Sequence, residues 1–218
     1  MDGTISKLEA SRRKGKNQAD EQRTNILDTA EKLFLDKGLE NTNMTDIAAE
    51  AGISRVSLYR YFPDLHPIAF ETAVRMMRRI FEAFSVAEQG SDFELFRVAM
   101  ITSIEQFYEL RDAHRFMGMF DHLYGAGYPT EELSAWYKEQ LGLSKLEVQY
   151  GSSEIAPEQI VMIGNCVLSF LQKLAARGDL MAEEQEVSLD KQLGLFKEMV
   201  NVYFDHLADL SQSKPIKL

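Results

Sequence analysis

The chain has 218 residues, 45% of them hydrophobic and 27% charged, which suits a globular protein with a real core. Its single cysteine excludes an internal disulfide framework, and no apolar run nears the roughly 20 residues that span a bilayer. No N-terminal stretch resembles a secretory signal, so a cytoplasmic protein is expected, with Cys166 a buried apolar thiol beside Ile163, Val167 and Leu168.

A net charge of −10 looks unsuited to nucleic acid until it is divided along the chain. Residues 1–65 hold ten Lys+Arg and eleven Asp+Glu, a net of −1, which leaves −9 for the remainder. The acidity therefore lies in the C-terminal two-thirds, and the N-terminal part can still offer local positive patches to phosphates.

Residues 1–19 carry Arg12, Arg13, Lys14 and Lys16 among small polar residues and read as a flexible basic arm. Such an arm is either a solvated tail or a segment that follows the phosphate backbone or enters a minor groove. From Arg23 the apolar positions Ile26, Leu27, Ala30, Leu33 and Phe34 recur at helical spacing and stop at Gly38. Asn43 can cap a short helix bearing Ile47, Ala48 and Ala51, with Asp46 in its first turn. Gly52 suits the turn, and Ser54 can cap a second short helix whose Leu58 and Phe62 face inward. The other face of that helix carries Arg55, Ser57, Tyr59, Arg60 and Tyr61, donors fitted to phosphates and base edges. Two short helices about a glycine turn, the second polar and aromatic on one side, have the form of a helix-turn-helix.

From Arg23 to Phe62 the pieces join without a gap as R-x-x-I-L-x-x-A-x-x-L-F-x-x-x-G-x-x-x-T-x-M-x-x-I-A-x-x-A-G-I-S-x-x-S-L-Y-x-Y-F. This run resembles the TetR family of transcriptional regulators. The resemblance implies an N-terminal DNA-binding head over residues 20–66 and a ligand-binding and dimerisation body over 67–218. It places DNA contacts at Thr45, Arg55, Val56, Ser57, Tyr59, Arg60 and Tyr61. One position departs from the family pattern: Leu65 stands where a phosphate-contacting lysine is usual, which leaves backbone amides at that helix start to serve a phosphate.

Beyond Pro63 and Asp64 the spacing predicts a helix to about Phe84, with Pro67 in its first turn. Gly90-Ser91-Asp92 breaks the chain before a helix to about Arg111, and a shorter helix follows from His114 to Tyr124. Thr130 opens a helix through Trp136 and Leu141 toward Val148, and Tyr150–Ser153 reads as a loop. Pro157 starts a helix that stops at Gly178, and a last helix covers about Glu186 to Leu210. No alternating β pattern is found, so the fold is all-α with roughly nine helices, as the family resemblance also implies.

In the last helix Leu193, Phe196, Val200, Tyr203 and Leu207 cover more than one side, a width that suits a second subunit as well as the core. The resemblance implies a homodimer through the two C-terminal helices. A twofold also matches DNA reading, since two recognition helices set roughly 34 Å apart read a palindrome. The body is rich in Met and aromatic residues, which suits a roomy site for a small apolar or aromatic inducer. Met100, Phe107, Phe120, His122, Tyr124, Trp136 and Asn165 are the candidate ligand contacts, with Glu105 a further polar group.

No nucleophile motif, phosphate loop or metal cluster stands out, so no catalytic residue, metal site or cofactor is expected and the chain does not read as an enzyme. His114 and His122 are eight apart, not the i, i+4 spacing at which two imidazoles share a metal. The expected function is a DNA-binding transcriptional regulator, a repressor released from a palindromic operator by its ligand. The competing reading is a protein-interaction adaptor that kept the helix-turn-helix and lost DNA.

Overall fold

The computed structural model describes residues 2–84, 92–125, 127, 130–141, 157–177 and 187–212. Among these it places nine α-helices and no strand: α1 Asp2–Lys37, α2 Met44–Glu50, α3 Arg55–Tyr61, α4 Leu65–Phe84, α5 Asp92–Glu105, α6 Arg111–Tyr124, α7 Glu131–Leu141, α8 Pro157–Arg177 and α9 Leu189–Gln212. The chain divides into two compact units, Met1–Thr72 and Ala73–Leu218, with the division inside α4 rather than just before Pro67 as the sequence suggested.

The first unit is built on α1. Its Ile26, Ala30 and Phe34 are fully buried, and α2 packs against both α1 and α3. Gly38, at φ +90°, ends α1, and its amide donates to the Phe34 carbonyl at 3.0 Å. The segment expected to be a flexible arm is instead helical from Asp2 and continuous with the head's first helix. Its many Lys, Arg, Glu, Gln and Ala residues favour helix and no proline interrupts them, so a helix nucleated by the buried stretch beyond residue 25 propagates backward.

In the second unit α5, α8 and α9 share one apolar core. Phe93, Phe96 and Phe107 meet Val167 and Leu171 of α8 and Phe196, Val200 and Phe204 of α9. Phe204 meets Phe93 and Phe96 in edge-to-face arrangements at centroid distances of 5.6 and 5.8 Å, and Phe170 stacks on Phe196 at 3.9 Å. Arg97 ties α5 to α9 through Asn201 (3.0 Å) and Asp205 (2.7 Å), and Lys197 pairs with Glu105. Helix α6 lies along α8, where Gly118 faces Gln172: a Cβ at 118 would stand in ordinary contact, 3.5 Å from Gln172 Cβ.

Several boundaries differ from those read in the sequence. Helix α5 ends at Glu105, and a turn over residues 106–110 leads into α6 at Arg111. The Phe107 amide bonds to the Ile104 carbonyl at 3.3 Å, an i→i−3 contact that tightens the chain where the Phe107 ring is fully buried. No glycine or proline marks that turn, which is why the periodicity ran through it. The expected extension of α7 to Val148, the 150–153 loop, the Gly178 stop and the Gly90-Ser91 break lie outside the described residues.

Two expectations about side chains are corrected. Cys166 is exposed, not buried, because the inward stripe of α8 runs through Ile163, Val167, Leu171 and Leu174 and leaves residue 166 to one side. On α9, Leu193, Phe196, Val200 and Leu207 are spent on the core, whereas the exposed apolar stripe is Leu195, Met199 and Val202, accompanied on α8 by Met162.

Candidate nucleic-acid interface and ligand site

The geometry of the helix-turn-helix follows from its caps. Asn43 has extended backbone, and its side-chain oxygen accepts from the amides of Thr45 (2.9 Å) and Asp46 (3.1 Å) at the start of α2. At the other end the Gly52 amide donates to the Ala49 carbonyl (3.2 Å) and the Ile53 amide to the Ala48 carbonyl (3.0 Å). This paired closure requires a left-handed residue, and Gly52 supplies it at φ +68°. Ser54 then caps α3 by accepting from the Ser57 amide at 3.1 Å.

Leu58 and Phe62 are buried as their spacing demands, at 0% and 1% exposure. That fixes the rotation of α3 and turns Arg55, Val56, Tyr59 and Arg60 outward, with Ser57 and Tyr61 half-buried beside them. Thr45 is exposed at the start of α2. Lys32 and Lys37 are matched to Glu50 (2.9 Å) and Asp46 (3.6 Å), so these two acids are partly neutralised. Arg55 and Arg60, by contrast, form no ion pair among the described residues and present their charge to solvent.

Arg23 is a residue whose role the sequence did not disclose. Its guanidinium lies 4.2 Å from the Phe62 ring centroid, donates to the Tyr61 carbonyl at 3.3 Å and pairs with Glu71 of α4. It thus holds the last residues of the recognition helix and the carbonyl that α3 leaves open. The only sequence signal was its place at the head of the extended motif. A second finding concerns the start of α4. The Asp64 carboxylate already accepts from the His66 amide at 2.8 Å, so the amide route to phosphate expected in place of a lysine at Leu65 is partly occupied and faces a negative charge.

In the body, Met100, Phe107, Phe120 and Tyr124 are buried and Trp136 is partly so. The Phe120 ring lies 4.8 Å from Tyr124, 5.5 Å from Tyr137 and 6.3 Å from Phe116, an aromatic cluster joining α6 to α7. His122 and Asn165 are exposed, which removes them as buried polar contacts: each falls off the inward stripe of its helix, between Phe120 and Tyr124 and between Ile163 and Val167. Glu105 is engaged with Lys197. The buried polar residues of the described body are instead Ser103 and His114, and the His114 ring stacks on Phe107 with centroids 6.2 Å apart. A helical wheel signals His114, three residues before Met117 on the inward face; nothing in the sequence distinguishes Ser103.

Residues 26–64 match the family described as bacterial regulatory proteins, tetR family. That match lies in the head, which is of the TetR type. The TetR-type head also dominates the likeness to curated proteins. The chain is 42% identical over 52 residues to the HTH-type transcriptional regulator AcrR of Shigella flexneri, covering 24% of each protein. It is 30% identical over 109 residues to EthR of Mycobacterium tuberculosis, half of each chain, and 33% identical over 87 residues to an HTH-type transcriptional regulator of Staphylococcus aureus, 39% of this chain and 47% of that one. The chain therefore spans half or less of the length of these relatives.

Solved structures extend the fold further. A TetR family transcription regulator from Marinobacter aquaeolei superposes with a TM-score of 0.57 over 87% of this chain and 97% of its own, at 18% identity. A TetR/AcrR family regulator from Thermobifida fusca gives 0.53 over 83% and 96%, at 19% identity. At these identities the likeness shows a shared TetR-like fold through the body.

Proposed function

We propose that this chain is a homodimeric, DNA-binding transcriptional repressor of the TetR family that a small apolar or aromatic ligand releases from a palindromic operator. The observation that carries the reading is α3: capped, locked in rotation by buried Leu58 and Phe62, and presenting Arg55, Tyr59 and Arg60 to solvent. Arg55 and Arg60 are placed to read a guanine edge or a phosphate, and Tyr59, Ser57, Tyr61 and Thr45 to donate to the backbone. Val56, 75% exposed, is an apolar group on that face with no packing role in the head, and a thymine methyl suits it.

The dimer is assigned to α8 and α9. Leu195, Met199 and Val202 are 54%, 59% and 68% exposed and recur at i, i+4, i+7, so one face of α9 carries a stripe that the chain's own core does not cover. A second copy is the occupant that an operator palindrome calls for. The ligand is assigned to the body, whose Met100, Phe107, Phe116 and Phe120 supply apolar and aromatic walls. The relatives AcrR and EthR carry the designation HTH-type transcriptional regulator, which supports the class and leaves the ligand to this chain's own residues.

The test is a gel shift with the DNA flanking the chain's own gene, over a series of stated salt concentrations. Saturable binding that weakens steeply with salt and occupies a palindrome as a dimer is expected. Absence of such binding at every flanking site would sink the repressor reading in favour of an adaptor. Among the described residues no helix is long and apolar enough to cross a membrane, and none of their His, Cys, Asp and Glu groups cluster to hold a metal ion.

A further inference from the structure

His114 is fully buried, and among the described residues neither of its ring nitrogens has a hydrogen-bond partner. The Ser103 hydroxyl, also fully buried, is likewise unpartnered. Buried polar atoms are nearly always satisfied, because an unmet group keeps its full desolvation cost. Serine in a helix commonly returns its hydroxyl to the carbonyl four residues back, so an unpartnered Ser103 is a second departure from the ordinary. The Phe107 ring stacks on the imidazole at an interplanar angle of 14°, and Ser103 lies four residues earlier in the chain.

We propose that His114 is the polar anchor of the body's ligand site, with Ser103 as a further contact, and that the ligand is an uncharged aromatic molecule bearing a hydroxyl group. The proposal rests on the ligand-responsive reading above and narrows its chemistry. A neutral imidazole offers one donor and one acceptor, and a hydroxyl on the ligand can answer either or both. No buried charged side chain is found among the described residues of the body, so a carboxylate or ammonium seated here would meet no opposing charge. The Phe107 ring stacked on His114 makes the surroundings of the imidazole aromatic, which suits an aromatic ligand. Burial pushes the His114 imidazole down to about 4, which keeps the ring uncharged near neutral pH.

The full-length chain, labelled with 15N-histidine, is titrated with 2-naphthol, with 2-naphthoate and naphthalene in parallel. Imidazole resonances are assigned with His114→Phe, whose fold is checked by circular dichroism and whose operator binding is measured by gel shift. Saturable 2-naphthol binding is expected, with a shift of the His114 ring nitrogens, binding at least fivefold weaker to His114→Phe, and little or no binding of 2-naphthoate. Ser103→Ala gives a smaller loss in the same direction. Three results overturn the proposal: no 2-naphthol binding, equal binding by the folded His114→Phe chain, or His114 nitrogens that report only internal water at saturation. Failure of operator binding with the naphthol response intact would count against the repressor reading alone.

Discussion

The guanidinium of Arg23 sits 4.2 Å from the centre of the Phe62 ring and holds the end of the recognition helix onto α1. The same side chain donates to the Tyr61 carbonyl and pairs with Glu71, so one residue of α1 reaches both α3's last turn and α4. Arg23→Ala should lower the stability of the head by about 1–2 kcal/mol, since the group is partly exposed and its ion pair is screened. Arg23→Lys should recover little, because a point charge cannot satisfy ring, carbonyl and carboxylate together. Thermal unfolding gives the first number. A gel shift gives the consequence: weaker binding to all sequences, with the preferred operator unchanged.

The exposed face of α3 predicts a division of labour. On the proposed reading, removing an arginine that contacts guanine, Arg55→Ala or Arg60→Ala, should cost about 1–3 kcal/mol on the preferred operator and relax selectivity at one base position. Tyr59→Phe removes a neutral donor to phosphate, so binding should fall alike on specific and nonspecific DNA while the salt dependence stays the same. If Arg60→Ala weakened both kinds of DNA equally, Arg60 would be a phosphate contact and Arg55 the reader.

Gly52 is held at φ +68°, and a Cβ built there meets nothing within 4 Å. The cost of Gly52→Ala is therefore conformational rather than steric with respect to neighbours, about 1–2 kcal/mol. Gly52→Asn should cost less, since asparagine enters the left-handed region more readily. Differential scanning calorimetry of the two variants checks the order; equal losses would point to a different closure of α2.

The proposed dimer predicts a separate set of variants. Met199→Glu with Val202→Glu places two charges on the exposed stripe of α9 without touching Phe196, Val200 or Phe204 in the core. Sedimentation velocity should then report a monomer with unchanged helix content and lost operator binding. A dimer that survives both charges would move the interface off α9.

The head was legible in the sequence because its caps and turn are chemical necessities. Asn43, Gly52 and Ser54 each do what their residue types require, and Leu58 and Phe62 fix the rotation of α3 by burial. Arg23 escaped because its partners lie 38 to 48 residues away, beyond any local pattern. In the body, apolar spacing locates the helices but not which face of α9 meets the core: Leu193 and Val200 lie in the core, and the surplus is Met199 and Val202. Polarity alone points to His122 and Asn165, whereas depth in the fold selects Ser103 and His114.

Depth also makes His114 a pH-sensitive element. Its folded-state value of about 4 lies below the ordinary 6.5 of an unfolded chain, and burial is the sole cause. Between those values the unfolded chain binds a proton that the folded chain does not, so acid favours unfolding. No cost is felt above about pH 6.5 and the loss grows as pH falls toward 4, reaching on the order of 3 kcal/mol. His114→Phe cannot take up that proton, so its stability should decline less across the same window. The difference between the two urea-unfolding curves, taken at intervals from pH 7 to pH 4, isolates His114 from the carboxylates that titrate alongside it. Parallel curves would mean that the imidazole is solvated in solution, and a solvated imidazole could not serve as a dry polar anchor.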